Sequence, residues 1–130
     1  MIRAFIADDS SAIRAALRRL LESQADIQVV GEAGDFKQAV QNLQSAKADV
    51  LICDIRMPYG KDSQPSHLAE LARACECAVI AITFHQADED LMEAAEQLGA
   101  FRVLDKTTLF DTLVPSIRDA VSKPSDARPS

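Results

Sequence analysis

The chain has 130 residues, of which 48% are apolar and 26% are charged, and 20 acidic against 14 basic residues give a net charge of −6. This length suits one domain with a buried core, and the acidic balance argues against nucleic-acid binding by the domain itself. Because no apolar run approaches the roughly 20 residues that span a bilayer, and acids follow the short apolar start, we expect a cytoplasmic protein without a membrane segment or signal peptide.

Five apolar runs separated by amphipathic stretches predict strands that alternate with helices. The predicted strands are residues 2–7, 27–33, 49–53, 78–83 and 101–104. The first predicted helix lies within residues 10–24, the second follows a capping Asp35, and the third covers about residues 66–75. The fourth has an acidic first turn and ends at Gly99, and in the fifth Thr108 and Asp111 approximate a capping box.

This alternation predicts an α/β fold of the doubly wound (βα)₅ type. Strands joined by helix-length connections are parallel, and near-continuous apolar strands belong to a sheet that is covered on both faces. We expect the domain to cover residues 1–121 and residues 122–130, which are rich in proline and serine, to form a linker or disordered tail.

Polar side chains follow four of the predicted strands. Asp8 and Asp9 come after the first strand, Asp54 after the third, Thr83 at the end of the fourth, and Lys106 after the fifth. The carboxyl ends of parallel strands meet at one edge of the sheet, which is where ligands bind in open α/β folds. The sequence therefore predicts that three carboxylates, one hydroxyl and one amine converge there.

Such a set restricts the chemistry. Three clustered carboxylates suit a hard divalent cation such as Mg²⁺, and an aspartate oxygen can attack a phosphoryl group to form an acyl phosphate. A lysine and a threonine hydroxyl can then contact phosphate oxygens. Neither a Ser-His-Asp arrangement nor a glycine-rich phosphate loop is present in the sequence.

Four segments together resemble the receiver domain of two-component response regulators. They are ADDS (7–10), DIRMP (54–58), IT (82–83) and GAFRVLDK (99–106), and the resemblance covers about residues 1–121. It implies a flavodoxin-like parallel sheet with strand order 2-1-3-4-5. It also implies that Asp54 accepts a phosphoryl group, which Thr83 and Lys106 contact. The remaining implication is a Mg²⁺ held by Asp9, Asp54 and the carbonyl of Arg56, with Asp8 acting through a bound water.

The same resemblance implies partners and an output. The phosphoryl donor is a histidine kinase or a phosphotransfer protein, and the surface of the fourth helix, fifth strand and fifth helix changes to control a partner. Dimerisation through the fourth and fifth helices is typical of this kind of receiver. The segment KTTLFDTLVPSIRDAV (106–121) is similar to receivers joined to helix-turn-helix DNA-binding domains. Two alternatives stay open for the end of the sequence: a natural stop, or a transcriptional DNA-binding output domain beyond residue 130. Self-dephosphorylation is the only catalytic turnover expected, and we do not expect an enzyme for external substrates.

Three departures from the family pattern favour an alternative, an atypical receiver that acts as a protein-interaction module. Val103 stands where an aromatic residue is usual, with Phe101 expected on the same strand face. Phe84 follows Thr83, where small residues are common, and PYGKDSQPS (58–66) replaces the usual turn beside the acceptor. A magnesium-dependent phosphatase is disfavoured because the clustered carboxylates lack the Asp-x-Asp spacing and a second base.

Simpler structural roles compete for several residues. Asp8 and Asp9 alone fit a helix cap, although Ser10 is the better candidate for that role. A further set is expected to have no catalytic role. It comprises core residues Phe5, Phe36 and Phe110, loop residues His67 and His85, loop-shaping Met57 and Pro58, and reduced, unpaired Cys53, Cys75 and Cys77.

Overall fold

A computed structural model of the chain describes residues 1–56, 71, 73–84 and 89–122. Its strands are β1 (Ile2–Ala7), β2 (Ile27–Ala33), β3 (Val50–Asp54), β4 (Ala78–Thr83) and β5 (Arg102–Asp105). The helices are α1 (Ser11–Glu22), α2 (Phe36–Ala46), α3 (Glu89–Leu98) and α4 (Leu109–Ser122), and a 3₁₀ turn, Lys106–Thr108, leads into α4. α3 and α4 correspond to the fourth and fifth predicted helices.

The five strands form one parallel sheet in the order β2-β1-β3-β4-β5, which confirms the predicted fold class. Every residue of β3 and β4 is buried because apolar layers cover both faces of the sheet. One layer includes Leu17 of α1 and Leu113 of α4, and the other includes Phe36 of α2 and Leu98 of α3. Because both faces of the sheet are covered by apolar layers, polar side chains can gather only where the strands end.

The observed boundaries differ from the predicted ones by one residue at two strands. β3 and β5 each begin and end one residue later than predicted, so Asp54 and Asp105 are the last residues of their strands. Of the third predicted helix, Leu71, Arg73 and Ala74 are helical. Residues 66–70 and 72 lie outside the described residues, as do PYGKDSQPS (58–66), Met57, His67, His85 and residues 123–130.

The helix starts show which polar residues act as caps. Ser10 Oγ accepts from the Ile13 amide, and Asp35 accepts from the Gln38 amide, so both predicted caps are confirmed. The predicted capping box at Thr108 gives way to a different arrangement. Asp105 caps the 3₁₀ turn by accepting from the Thr107 amide, and the Thr108 hydroxyl donates to the Asp105 carbonyl. The helical segment starts earlier than predicted, which moves its cap to the end of β5.

Two of the three phenylalanines assigned to the core are buried there. Phe5 and Phe36 have at most 1% of their surface exposed, whereas Phe110 is 62% exposed. The core face of α4 carries Leu109, Leu113 and Ile117. Phe110 points in nearly the same direction as Ile117 by helical phase, yet it lies in the first turn of α4 and is exposed there. The prediction for Phe110 was therefore wrong.

The cysteines divide into one buried thiol and one pair. Cys53 is a free buried cysteine, as expected. Cys75 and Cys77 form a disulfide with 5.3 Å between their Cα atoms, so the expectation of unpaired thiols was wrong for these two. The pairing is possible because the chain turns between the helical residues before Cys75 and the start of β4, which brings the two Cα atoms within disulfide range.

A close contact between strands explains one glycine in β2. The register between β1 and β2 shifts between Ala4 and Phe5, and Phe5 pairs with Gly31. A Cβ atom added at Gly31 would lie 2.7 Å from the Phe5 ring. Glycine at this position therefore leaves room for the Phe5 ring beside the neighbouring strand.

None of the helices among the described residues is long and apolar enough to cross a membrane.

Candidate functional site

The sheet topology brings the predicted polar residues to the carboxyl edge. Asp8 follows β1, Asp54 ends β3, Thr83 ends β4 and Lys106 follows β5. Asp8 and Thr83 are completely buried and Asp54 is 4% exposed, whereas Asp9 is exposed. A buried polar side chain needs a hydrogen-bond or ionic partner to offset its lost hydration. The partners of these residues therefore define the site.

Lys106 joins the two buried carboxylates. Its Nζ lies 2.7 Å from Asp8 Oδ2 and 2.9 Å from Asp54 Oδ2, and its side chain is 6% exposed. One ammonium group from the β5 end thus bridges side chains from β1 and β3. Such a bridge requires the strand order 2-1-3-4-5, which places β1 and β3 side by side and β5 within the reach of a lysine side chain.

Backbone amides hold the other oxygen of each buried carboxylate. The Ser10 amide donates to Asp8 Oδ1 at 2.8 Å, and the Arg56 amide donates to Asp54 Oδ1 at 2.9 Å. Each aspartate therefore accepts from the backbone two residues further on, the local turn that aspartate commonly forms. These contacts orient both carboxylates before any ligand binds.

The protonation equilibria of Asp54 and Lys106 reflect burial and pairing. Burial raises the pKa of Asp54, although hydrogen bonds from Lys106 and the Arg56 amide act in the opposite direction. Burial alone would lower the pKa of Lys106, but its hydrogen bonds to Asp8 and Asp54 outweigh that effect and raise it. Lys106 is thus a stable cation at neutral pH, while negative charge on Asp54 is disfavoured in the folded protein.

The donor set has the composition of a site for a hard divalent cation. One ligand atom each from Asp8, Asp9 and Asp54 lies within 4.8 Å of the others. Three carboxylates face one ammonium group, so the edge has surplus negative charge that Lys106 does not neutralise. Carboxylate oxygens in this number suit Mg²⁺, which keeps waters in its remaining positions. The residues present therefore fit a magnesium ion.

Comparison with known proteins identifies the family. A family profile described as the response regulator receiver domain matches residues 4–127. The chain belongs to this family. The transcriptional regulatory protein PdtaR of Mycobacterium tuberculosis is 34% identical over 122 residues, which are 93% of this chain and 57% of PdtaR. The DNA-binding transcriptional activator DevR/DosR of the same organism is 30% identical over 94 residues, 72% of this chain and 43% of DevR/DosR.

A solved structure supports the same fold. The response regulator domain of Thermotoga maritima CheB has a TM-score of 0.81 with this receiver at 26% sequence identity, and the match covers 95% of this chain and 98% of that one. The receiver spans about half the length of the two mycobacterial relatives. Those longer proteins include transcriptional regulators, and their names describe a function of the whole chain.

The residues that depart from the family pattern have distinct environments. Val103 in β5 is half-buried against the layer formed by α2 and α3. Phe101 packs against the opposite layer, so the expectation that it shares a face with Val103 was wrong. β5 begins at Arg102, and Phe101 therefore lies outside the strand alternation, with its ring 5.1 Å from the Arg102 guanidinium carbon. Phe84 is 54% exposed beside Lys106.

One residue that contacts this edge, Arg14, was not predicted from the sequence. Arg14 of α1, which helical spacing places away from the apolar face, donates from Nη1 to the Asp8 carbonyl and from Nε to Glu32. The partner at the site is a backbone atom, which side-chain patterns do not reveal. The sequence offered one signal for this contact. Arg14 stands one helical turn after the capping Ser10, and the second predicted strand carries an acidic residue, Glu32, that could pair with it.

Proposed function

We propose that this receiver takes a phosphoryl group from a histidine kinase or phosphotransfer protein onto Asp54. The observation that carries the proposal is the Lys106 bridge between Asp8 and Asp54 at an edge with surplus carboxylates. An Asp54 oxygen attacks phosphorus, the P–N bond to the donor histidine breaks, and its electron pair stays on the imidazole nitrogen. The Lys106 ammonium group then pairs with one phosphoryl oxygen, and the Thr83 hydroxyl contacts another.

The metal requirement follows from the charges. Asp9, Asp54 and the Arg56 carbonyl would hold Mg²⁺, and Asp8 would act through a bound water. When bound, the ion supplies positive charge that neutralises the carboxylates and the incoming phosphoryl oxygens. The protein contributes an oriented nucleophile, because the Arg56 amide and Lys106 hold the two oxygens of Asp54.

Phosphorylation is proposed to act on a partner through the surface of α3, β5 and α4. The relatedness to transcriptional regulators supports a DNA-binding output domain beyond residue 130 and control of transcription. Homodimerisation through α3 and α4 is part of this proposal. The receiver itself catalyses its own phosphorylation and dephosphorylation and turns over no external substrate.

Intact mass after treatment with acetyl phosphate and Mg²⁺ tests the proposal. We expect wild type to gain the mass of one phosphoryl group and Asp54→Ala to gain none. Asp111→Ala, which removes an acidic residue from the first turn of α4, is the matched control and retains the uptake. Wild type without added mass, or equal uptake by Asp54→Ala, would refute Asp54 as the acceptor.

A second function, a protein-interaction module that signals independently of phosphorylation, is favoured by the exposed rings of Phe84 and Phe110 and by Val103. Light scattering on phosphorylated and unphosphorylated protein separates the two. A change in mass or in partner affinity supports the switch. Identical behaviour of both forms, with uptake demonstrated, supports the interaction module.

A further inference from the structure

Arg14 connects the acidic edge to β2. It is the fourth residue of α1, and its side chain is 21% exposed. Nη1 donates to the Asp8 carbonyl at 2.5 Å, and Nε donates to Glu32 Oε1 at 3.2 Å. One guanidinium group therefore ties the segment after β1 to a carboxylate on the neighbouring strand, with the fixed geometry that arginine allows and lysine does not.

The surroundings of Arg14 restrict its position. Glu32 is also held by Arg18, whose Nε lies 2.6 Å from Oε2, so the carboxylate cannot easily follow a displaced Arg14. Gly34 lies on the other side, where an added Cβ atom would be 3.2 Å from Arg14 Nη1. The Arg14 guanidinium group is thus enclosed by the Asp8 backbone, the Glu32 carboxylate and Gly34.

These contacts anchor the backbone at Asp8, directly before Asp9, the exposed residue proposed to bind the metal. The Asp8 amide donates to the Ala33 carbonyl at 3.0 Å, its carbonyl accepts from Arg14, and its carboxylate accepts from the Ser10 amide. Asp9 follows directly and is exposed, so its own surroundings constrain its carboxylate little. A fixed backbone at Asp8 reduces the entropy lost when Asp9 takes a defined position in the carboxylate cluster.

We propose that Arg14 is a positioning residue for the divalent cation: by holding the Asp8 carbonyl, it presents Asp9 to the metal. This inference rests on the proposed magnesium site. The charge of Arg14 acts in the opposite direction, because a cation near three carboxylates repels Mg²⁺. The sign of the effect of a substitution therefore distinguishes positioning from electrostatics. Loss of positioning weakens Mg²⁺ binding, and loss of charge alone strengthens it.

The experiment is a titration of the metal-free full chain with Mg²⁺, in which the amide chemical shifts in NMR spectra report binding. Arg18→Ala is the control for Arg14→Ala, since both remove one positive charge from α1 and one contact to Glu32. The two variants differ because Arg14, and not Arg18, donates to the Asp8 carbonyl. We expect Arg14→Ala to raise the Kd for Mg²⁺ about tenfold, the lower end for loss of a contact that orients metal ligands, and Arg18→Ala to change it less than about twofold.

Arg14→Lys keeps the charge with a single donor group and guards against a variant that does not fold. We expect an intermediate Kd together with a metal-free melting temperature near that of wild type. A Kd for both Arg14 variants equal to or lower than that of Arg18→Ala would overturn the inference while leaving the magnesium site intact. Wild type that does not bind Mg²⁺ would instead refute the proposed site and the inference with it.

Discussion

The phenyl ring of Phe84 lies over the ammonium group of Lys106, with 5.2 Å between Nζ and the ring centroid. Lys106 is nearly enclosed, whereas Phe84 beside it is half exposed. A cation–π contact contributes about 0.5–1 kcal/mol at exposed sites and more where the cation is desolvated. We therefore expect Phe84 to stabilise the Lys106 cation and to narrow the approach to Asp54.

Replacing Phe84 with alanine should speed reactions at Asp54. We expect Phe84→Ala to accept a phosphoryl group from acetyl phosphate and to lose it by hydrolysis several-fold faster than wild type, on the order of the fivefold that about 1 kcal/mol corresponds to. Phe110→Ala is the control because it removes another exposed ring, one on the first turn of α4. Rates would be followed by intact mass over time. Unchanged or slower rates in Phe84→Ala would contradict a covering role.

Neutralising Asp54 should stabilise the metal-free protein. Burial raises the pKa of Asp54, so the folded state disfavours its ionised form. Lys106 keeps Asp8 as a partner in Asp54→Asn, so the substitution leaves no buried cation unpaired. We expect Asp54→Asn to melt at a higher temperature than wild type in the presence of a chelator. A lower melting temperature would mean that the Lys106 pair outweighs the cost of burying the carboxylate.

The same comparison has a defined pH dependence. Below the unfolded pKa of an aspartate, about 3.9, Asp54 is protonated in both states and costs no stability. As pH rises from there through the higher folded pKa, the unfolded state releases the proton first, and wild type loses stability relative to Asp54→Asn. Melting curves between acidic and neutral pH should show this difference growing and then reaching a plateau. A difference that shrinks as pH rises would reverse the assigned direction.

Divalent cations should stabilise the wild-type chain. Three carboxylates opposed by one ammonium favour a bound cation, and a ligand that binds the folded state raises stability by mass action. We expect Mg²⁺ at ten times its Kd to add about 1.4 kcal/mol, or several degrees in melting temperature. Asp9→Asn should reduce this shift. A flat melting temperature up to tens of millimolar Mg²⁺ would argue against the site.

The thiol count should match the pairing of Cys75 with Cys77. Alkylation in denaturant should label one of the 3 cysteines in protein handled without reductant, and all of them after reduction. In the folded state Cys53 should react slowly, because burial raises the pKa of its thiol and removes it from solvent. Mass spectrometry of the alkylated chain gives the count. Full labelling without reductant would show that the pair is not oxidised.

The fold was predictable because strand and helix periods alternate so regularly. β3 and β4 are apolar at every position except their final polar residue, which is typical of strands covered on both faces. The errors arose at the ends of elements. Phe110 lies in the first turn of α4, and Phe101 precedes β5, so regular spacing did not predict their surroundings. Pairing of Cys75 with Cys77 depends on a local turn that composition does not reveal.

The residues gathered at the site were predictable from topology, because strand ends of a parallel sheet share an edge. The convergence of Lys106 with the carboxylates was predicted in this way, whereas its bridge between Asp8 and Asp54 was not. Arg14 was missed since its partner is a main-chain carbonyl, and such contacts leave no mark in the spacing of side chains. The roles assigned to Asp9, Thr83 and the Arg56 carbonyl stay predictions, and Asp9→Asn tests the first of them.

The contact between Gly31 and Phe5 gives a stability prediction outside the site. An added methyl group at Gly31 would lie 2.7 Å from the ring of Phe5, which is itself buried in the core. Overpacking of this kind typically costs about 1–3 kcal/mol, so Gly31→Ala should lower the free energy of unfolding by that amount. Phe5→Leu makes room for the methyl group. In a double-mutant cycle measured by denaturant unfolding, the combined variant should therefore lose less stability than the two single losses added together. Simple additivity would show that the ring is not the obstacle.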